Sequence, residues 1–270
     1  PPSEWSITGS GDPTIQGFAT DMSVNKGETV RFKIDTNAAD YRLDIYRMGY
    51  YGGMGARLVT TVTPSATLPQ IQPAPIKDDS VGITDCGNWA ESAHWDVPAS
   101  AVSGIYFARM VRTDTQAANH IYFIVRDDAS HSDVIMSTSD ATWQAYNSYG
   151  GSSYYDGLPA GRANKVSYNR PFITRGQDGG ARSVDFVFNS EYPLVRWLES
   201  NGYNVSYTTS VDTERRGALI QHHKIFISVG HDEYWSLGMR TNLEAARDAG
   251  VNLVFFSANE VFWKTRWENS

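Results

Sequence analysis

His231, Asp232 and Glu233 are three consecutive ionisable residues, followed at once by Tyr234, Trp235 and Ser236. An imidazole two positions from a carboxylate puts a base beside an acid or an anionic ligand within one short segment. Asp232 and Glu233 alone would suit the first turn of a helix, where the dipole favours negative charge. Capping leaves His231 and the Tyr-Trp pair without a role. Two further polar groups stand in comparable places: Ser137-Thr138-Ser139-Asp140, and Ser257 with Asn259 and Glu260. Helix capping accounts well for Ser139 or Asp140. Two tyrosine segments, Trp143-Gln-Ala-Tyr146-Asn147 and Ser167-Tyr168-Asn169-Arg170-Pro171, put a phenol beside polar residues. By composition alone they read as core or interface aromatics. Several other chemistries have no motif. There is no Gly-x-Ser-x-Gly elbow, no phosphate loop and no His-Glu-x-x-His word. His222-His223 reads as a solvated turn, and Cys86 stands alone in a β-rich region.

The elements that must position these residues change character near residue 128. Residues 1–128 read as all-β. Val30, Phe32 and Ile34 alternate with polar residues, as do Leu43 and Ile45, Ile105 and Phe107, and Ile121, Phe123 and Val125. Period-two patterning between turn signals predicts half-buried antiparallel strands, and an immunoglobulin-like β-sandwich fits. The Gly- and Tyr-rich loop Arg47–Arg57 is either a binding surface or a loop packed on the neighbouring domain. Pro64–Pro75 reads as an extended connection. Residues 129–270 alternate strands with helices. Strands are expected at 134–136, 203–207, 225–229 and 251–256, with an extended piece at 165–168. A helical turn through Trp143 and Tyr146 is expected after the cap cluster Ser137–Asp140, with helices from Ser190 to Ser200, over about 212–221, and from Ser236 to Ala249. Gly202 and Gly250 sit where left-handed caps belong. Alternation of this kind implies a doubly wound parallel sheet. Its strands all point one way, so the three polar groups fall on the carboxyl edge, where open α/β sheets place their ligands.

Composition bounds the partners. Net charge is −7 without a basic block, which argues against a nucleic-acid surface. No apolar run reaches the length of a membrane span. The single cysteine excludes an internal disulfide. The start at Pro1-Pro2-Ser3 suggests a processed or trimmed end, and the finish after a strand suggests a fragment whose α/β domain is truncated at its C-terminus. Export from a bacterium is the expected localisation, with the cytoplasm as the alternative.

The words Trp143-Gln-Ala-Tyr146-Asn147, Ser167-Tyr168-Asn169-Arg170-Pro171, Glu191–Glu199, Ser228-Val-Gly-His231-Asp-Glu233-Tyr-Trp-Ser236 and Asn259-Glu-Val-Phe-Trp263 together resemble the large subunit of N,N-dimethylformamidase and the wider family sharing its C-terminal domain. The resemblance covers about 133–268, and the β-rich region is similar to the sandwich that precedes this domain in relatives. It implies an α/β fold similar to class I glutamine amidotransferases. It also implies a mononuclear ferric ion held by two tyrosinates and a glutamate, which hydrolyses the C–N bond of a small amide. By position the metal ligands are Tyr146, Tyr168 and Glu233. His231 becomes a base or an orienter beside the metal, and Asn259 positions it or the substrate. A small partner subunit or a homo-oligomer is implied as well. The family enzyme uses a further catalytic glutamate from a later segment. Glu260 is not assumed to be its counterpart, so the resemblance speaks to metal binding before turnover.

Two other readings compete. In one, the chain is a non-catalytic secreted protein whose sandwich binds a glycan or polymer. In the other, it is a metal-free esterase or amidase with a serine activated by His231. Both leave the two tyrosines and Glu233 unexplained.

Overall fold

The computed structural model describes residues 1–173 and 186–268. In chain order the first half comprises α1 (Pro2–Trp5), β1 (Ile15–Ala19), β2 (Ser23–Asn25), β3 (Thr29–Thr36), β4 (Tyr41–Met48), β5 (Ala56–Val62), β6 (Ile76–Asp78), β7 (Ile83–Asp85), β8 (Ala93–Asp96), β9 (Gly104–Arg112) and β10 (Ala118–Arg126). Two sheets dominate it, one ordered β1-β3-β8 and one ordered β2-β10-β9-β4-β5. Their facing side chains interdigitate. Ile15, Val30, Phe32, Ile34 and Trp95 of the smaller sheet meet Leu43, Ile45, Tyr106, Met110, Ile121 and Phe123 of the larger. This is a two-sheet sandwich.

The second half comprises β11 (Val134–Ser137), α2 (Asp140–Tyr146), α3 (Glu191–Ser200), β12 (Val205–Thr208), α4 (Ser210–Arg215), β13 (Ile225–His231), β14 (Tyr234–Ser236), α5 (Leu237–Asp248), β15 (Asn252–Ala258) and β16 (Trp263–Thr265). Four strands form a parallel sheet ordered β12-β11-β13-β15. Successive residues point to opposite faces of this sheet. Val134, Met136, Ile227 and Val229 face one core, with Trp143, Val195 and Leu198. Ile135 and Phe226 face the other, with Met239, Leu243 and Ala246 of α5. Ser236 begins α5 because its hydroxyl accepts the Met239 N–H. Gly250 ends it at φ +98. β15 lies at the sheet edge, and its Phe255 and Phe256 are exposed.

The expectation of half-buried strands holds for β3, whose residues alternate between buried and open. It fails for β9 and β10, which are buried almost throughout. The reason is packing from both sides. Tyr46, Met48, Ile105, Phe107, Tyr122 and Ile124 leave the sandwich core and enter one continuous cluster with β11, β13 and α3. The loop after β4 belongs to the same seam. Arg47 pairs with Glu199 of α3 at 2.7 Å, and the Tyr50 N–H reaches the same carboxylate at 3.1 Å. Of the two readings of that loop, packing on the neighbour is the one observed. Residues 165–168 form no strand.

Candidate metal centre

β13 runs two residues further than its apolar core predicts, to His231. Gly230 makes this feasible. At φ +86 it occupies a conformation that costs a side-chain-bearing residue energy, and it redirects the chain at the carboxyl edge. His231 then stands at the sheet edge and Glu233 is buried. The turn after β15 closes over them. The Val261 N–H donates to the Asp232 carbonyl at 3.1 Å, and the Trp263 N–H donates to the Glu233 carbonyl at 2.8 Å. Both Asn259 and Val261 take positive φ there, at 52 and 54. Such backbone is uncommon outside glycine and persists where surrounding bonds impose it. It sets Asn259 Nδ2 2.7 Å from His231 Nε2.

α2 brings the first phenol. Thr142 and Tyr146 are four residues apart, so they share one face of the helix. The Thr142 hydroxyl accepts the Glu233 backbone N–H at 3.1 Å, and the Tyr146 hydroxyl donates to Glu233 Oε1 at 2.6 Å. His231 Nε2 lies 2.7 Å from that same oxygen. Ser139, expected to cap α2 with its side chain, does not. Its hydroxyl donates instead to the Val229 carbonyl of β13 at 2.9 Å. Its N–H donates to Glu191 Oε1 at 3.0 Å. The Trp143 indole N–H donates to that oxygen too, at 3.0 Å. Buried Glu191 thereby ties α2 to α3, and burial pushes its carboxyl up to about 8.

Tyr168 meets a different carboxylate. Its hydroxyl donates to Asp140 Oδ2 at 2.9 Å. Asp140 Oδ1 is held in turn by the Thr138 hydroxyl and the Ser210 N–H. Burial raises Asp140 to about 6. Burial also raises the Tyr168 phenol, and the Asp140 charge adds to it. The second phenol on Glu233 is Tyr155, whose hydroxyl donates to Oε2 at 2.9 Å. Its ring stacks on Tyr146 with centroids 4.2 Å apart. The residue sits in a Ser-Ser-Tyr-Tyr loop with no periodicity to mark it, so sequence reasoning missed it. Buried acids lie behind the cluster. Asp232 accepts from the Ser228 hydroxyl at 2.7 Å and is raised by burial to about 7. Glu260 is raised by burial, with the Asp232 charge adding, to about 8.

The structure thus brings Tyr146, Glu233, His231 and Asn259 together and holds Tyr168 on Asp140. Among the described residues, no three His, Cys, Asp or Glu side chains converge as a metal site. A metal here would depend on phenol oxygens. Two phenols and a carboxylate are hard, anionic donors of the kind that suit a trivalent ion, and Tyr146 and Glu233 fit such a group as they stand.

Fold and site together define a class: a sandwich-backed α/β chain whose parallel sheet carries an imidazole and a carboxylate to its carboxyl edge, where phenols from α2 and the loop after it meet the carboxylate. The chain belongs to the family described as N,N-dimethylformamidase beta subunit-like, C-terminal, which matches residues 42–270. The match begins within β4, so it takes in most of the larger sandwich sheet. Over 132 residues the chain is 26% identical to the N,N-dimethylformamidase beta subunit of an Alcaligenes species. That stretch is 48% of this chain and 17% of the relative, so the chain spans a minor part of that protein. Among solved structures, VCBP3 domain 1 from Branchiostoma floridae matches 43% of this chain and 97% of its own at 10% identity and a TM-score of 0.24. A family 123 glycoside hydrolase from Clostridium perfringens matches 91% of this chain and 72% of its own at 9% identity and a TM-score of 0.21. Neither likeness is close enough to bear on fold or function.

Proposed function

We propose that the chain is an iron-dependent hydrolase of a C–N amide bond, with Tyr146, Tyr168 and Glu233 as the ligands of one ferric ion and a small amide as substrate. The observation that carries this reading is the convergence on Glu233 Oε1 of the Tyr146 phenol at 2.6 Å and His231 Nε2 at 2.7 Å. Family membership supports it, since the relative's name is that of an amide-cleaving enzyme. Tyr168, whose hydroxyl meets Asp140 in this structure, would be the third ligand. When bound, a ferric ion supplies Lewis-acid polarisation of a carbonyl and activation of water. The chain's own residues supply proton handling. His231 accepts the proton of the attacking water and returns it to the departing nitrogen, which leaves as the amine. Asn259 orients the imidazole. Thr142 and Tyr146 hold Glu233 in place from α2.

On the same reading residues 1–128 form an immunoglobulin-like sandwich, and residues 129–270 an α/β domain like that of class I glutamine amidotransferases. The two-sheet core and the four parallel strands support this division. The relative is a beta subunit by name, which supports a partner subunit here. The test is a visible absorption spectrum of the purified protein, with iron measured in the same sample. A broad tyrosinate-to-iron band and one iron per chain are expected, both lost in Glu233→Ala. A colourless protein that takes up no ferric ion sinks the reading.

A further inference from the structure

The two oxygens of Glu233 have different surroundings. Oε1 faces Tyr146 and His231, at 2.6 and 2.7 Å. Oε2 accepts from the Tyr155 hydroxyl at 2.9 Å. The Tyr155 oxygen in turn accepts from the Tyr234 hydroxyl at 2.6 Å. Each link of this chain leaves the next one little freedom. Tyr234 comes from β14, which pairs with β16 across the turn that carries Asn259. Tyr155 comes from the loop after α2, where the Ser153 hydroxyl accepts its N–H at 3.1 Å, and its ring lies on Tyr146 at an interplanar angle of 22°.

A carboxylate whose oxygens are both free can swing between binding a cation through one oxygen and through two. A hydrogen bond to one oxygen biases that choice toward the other, because turning the group to present both bends the bond and takes up one of the oxygen's lone pairs. Partners of this kind fix the orientation of metal ligands. We propose that Tyr155, oriented by Tyr234, is a positioning residue that holds Glu233 Oε2 and turns Oε1 alone toward the metal. The proposal rests on the ferric reading above. It assigns Tyr155 a role distinct from that of Tyr146 and Tyr168: its hydroxyl stays a donor to Glu233 and does not enter the ligand set.

The experiment is titration of chelator-stripped protein with ferric nitrilotriacetate, following the tyrosinate band and bound iron in wild type, Tyr155→Phe and Tyr234→Phe. Tyr155→Phe is expected to keep the wavelength of the band while ferric affinity falls about 10–100-fold, the range found when a partner of a metal ligand is removed. Tyr234→Phe is expected to lower affinity in the same direction by less. If Tyr155→Phe does not fold, Tyr234→Phe decides, since it leaves the Tyr155 ring and hydroxyl in place. Unchanged affinity in both variants overturns the proposal. So does a shifted or lost band in Tyr155→Phe, which would make Tyr155 itself a ligand. Wild type that takes up no ferric ion overturns the metal reading and this proposal with it, a result separable from the other two because it appears before any substitution is made.

Discussion

At the scale of single residues, the most informative group outside the cluster is Glu191. Both donors it meets, the Ser139 N–H and the Trp143 indole, fall on one oxygen. The other oxygen has no hydrogen-bond partner among the described residues. Burial therefore favours the neutral acid, with a carboxyl that ordinarily titrates at 4.5 raised to about 8. The sign follows from linkage. Folding takes up a proton between those two values, so this group's contribution to stability is fully present below pH 4.5 and is lost as pH rises through about 8. Glutamine cannot titrate and keeps the same shape. Melting temperatures of Glu191→Gln and wild type should diverge between pH 5 and 9, the variant gaining at least about 3 °C on wild type, on a scale of about 2–4 °C per kcal/mol. A difference that stays constant with pH would show that Glu191 is ionised in the folded protein. Residue by residue, the candidate site was unevenly legible. His231 and Glu233 announced themselves by spacing, and Tyr146 only through a word that resembles the family's. Tyr155 carried no such signal, because a loop residue reaches its partner through tertiary contact alone.

At the scale of elements, α2 acts as the arm that delivers Tyr146, and its fixings lie at its start and middle. Ser139 ties its start to β13, and Thr142 ties its middle to the Glu233 backbone. Strand and helix positions in this half were readable from apolar periodicity and from Gly202 and Gly250. The use of Ser139 was not, because serine caps and serine cross-links look identical in sequence. Nor was the extension of β13 through Gly230, since glycine ordinarily marks the end of a strand. Thr142 offers a clean test of the arm. Thr142→Val preserves side-chain shape and removes the acceptor, leaving the Glu233 N–H unpaired in a buried place. Such a group costs about 1–3 kcal/mol. The urea midpoint should fall accordingly with an unchanged slope, and ferric affinity should fall with it because Tyr146 rides on the same helix. Equal midpoints would mean that the Thr142 bond does not help to hold α2.

At the scale of the whole molecule, one apolar cluster crosses the division drawn from sequence near residue 128. Period-two patterning places residues on alternate faces of β9 and β10 but is silent on what covers the second face. Here that face is covered by β11, β13 and α3, so Phe107 and Tyr122 of the sandwich share one apolar cluster with Val134, Met136 and Val229 of the parallel sheet. Phe107 is fully buried and lies against Trp5, Tyr46, Tyr122 and Phe188. Phe107→Ala should cost about 3–5 kcal/mol, the usual range for emptying such a site. The distribution of that loss is the sharper observable. Two halves with separate cores would confine it to the sandwich. One shared core spreads it, so native-state hydrogen exchange should speed up by a similar free energy in β3, remote from the site, and in β13, which carries His231. Exchange in β13 that matches wild type while β3 accelerates would show that the halves open independently. The candidate site would then owe its rigidity to the parallel sheet alone.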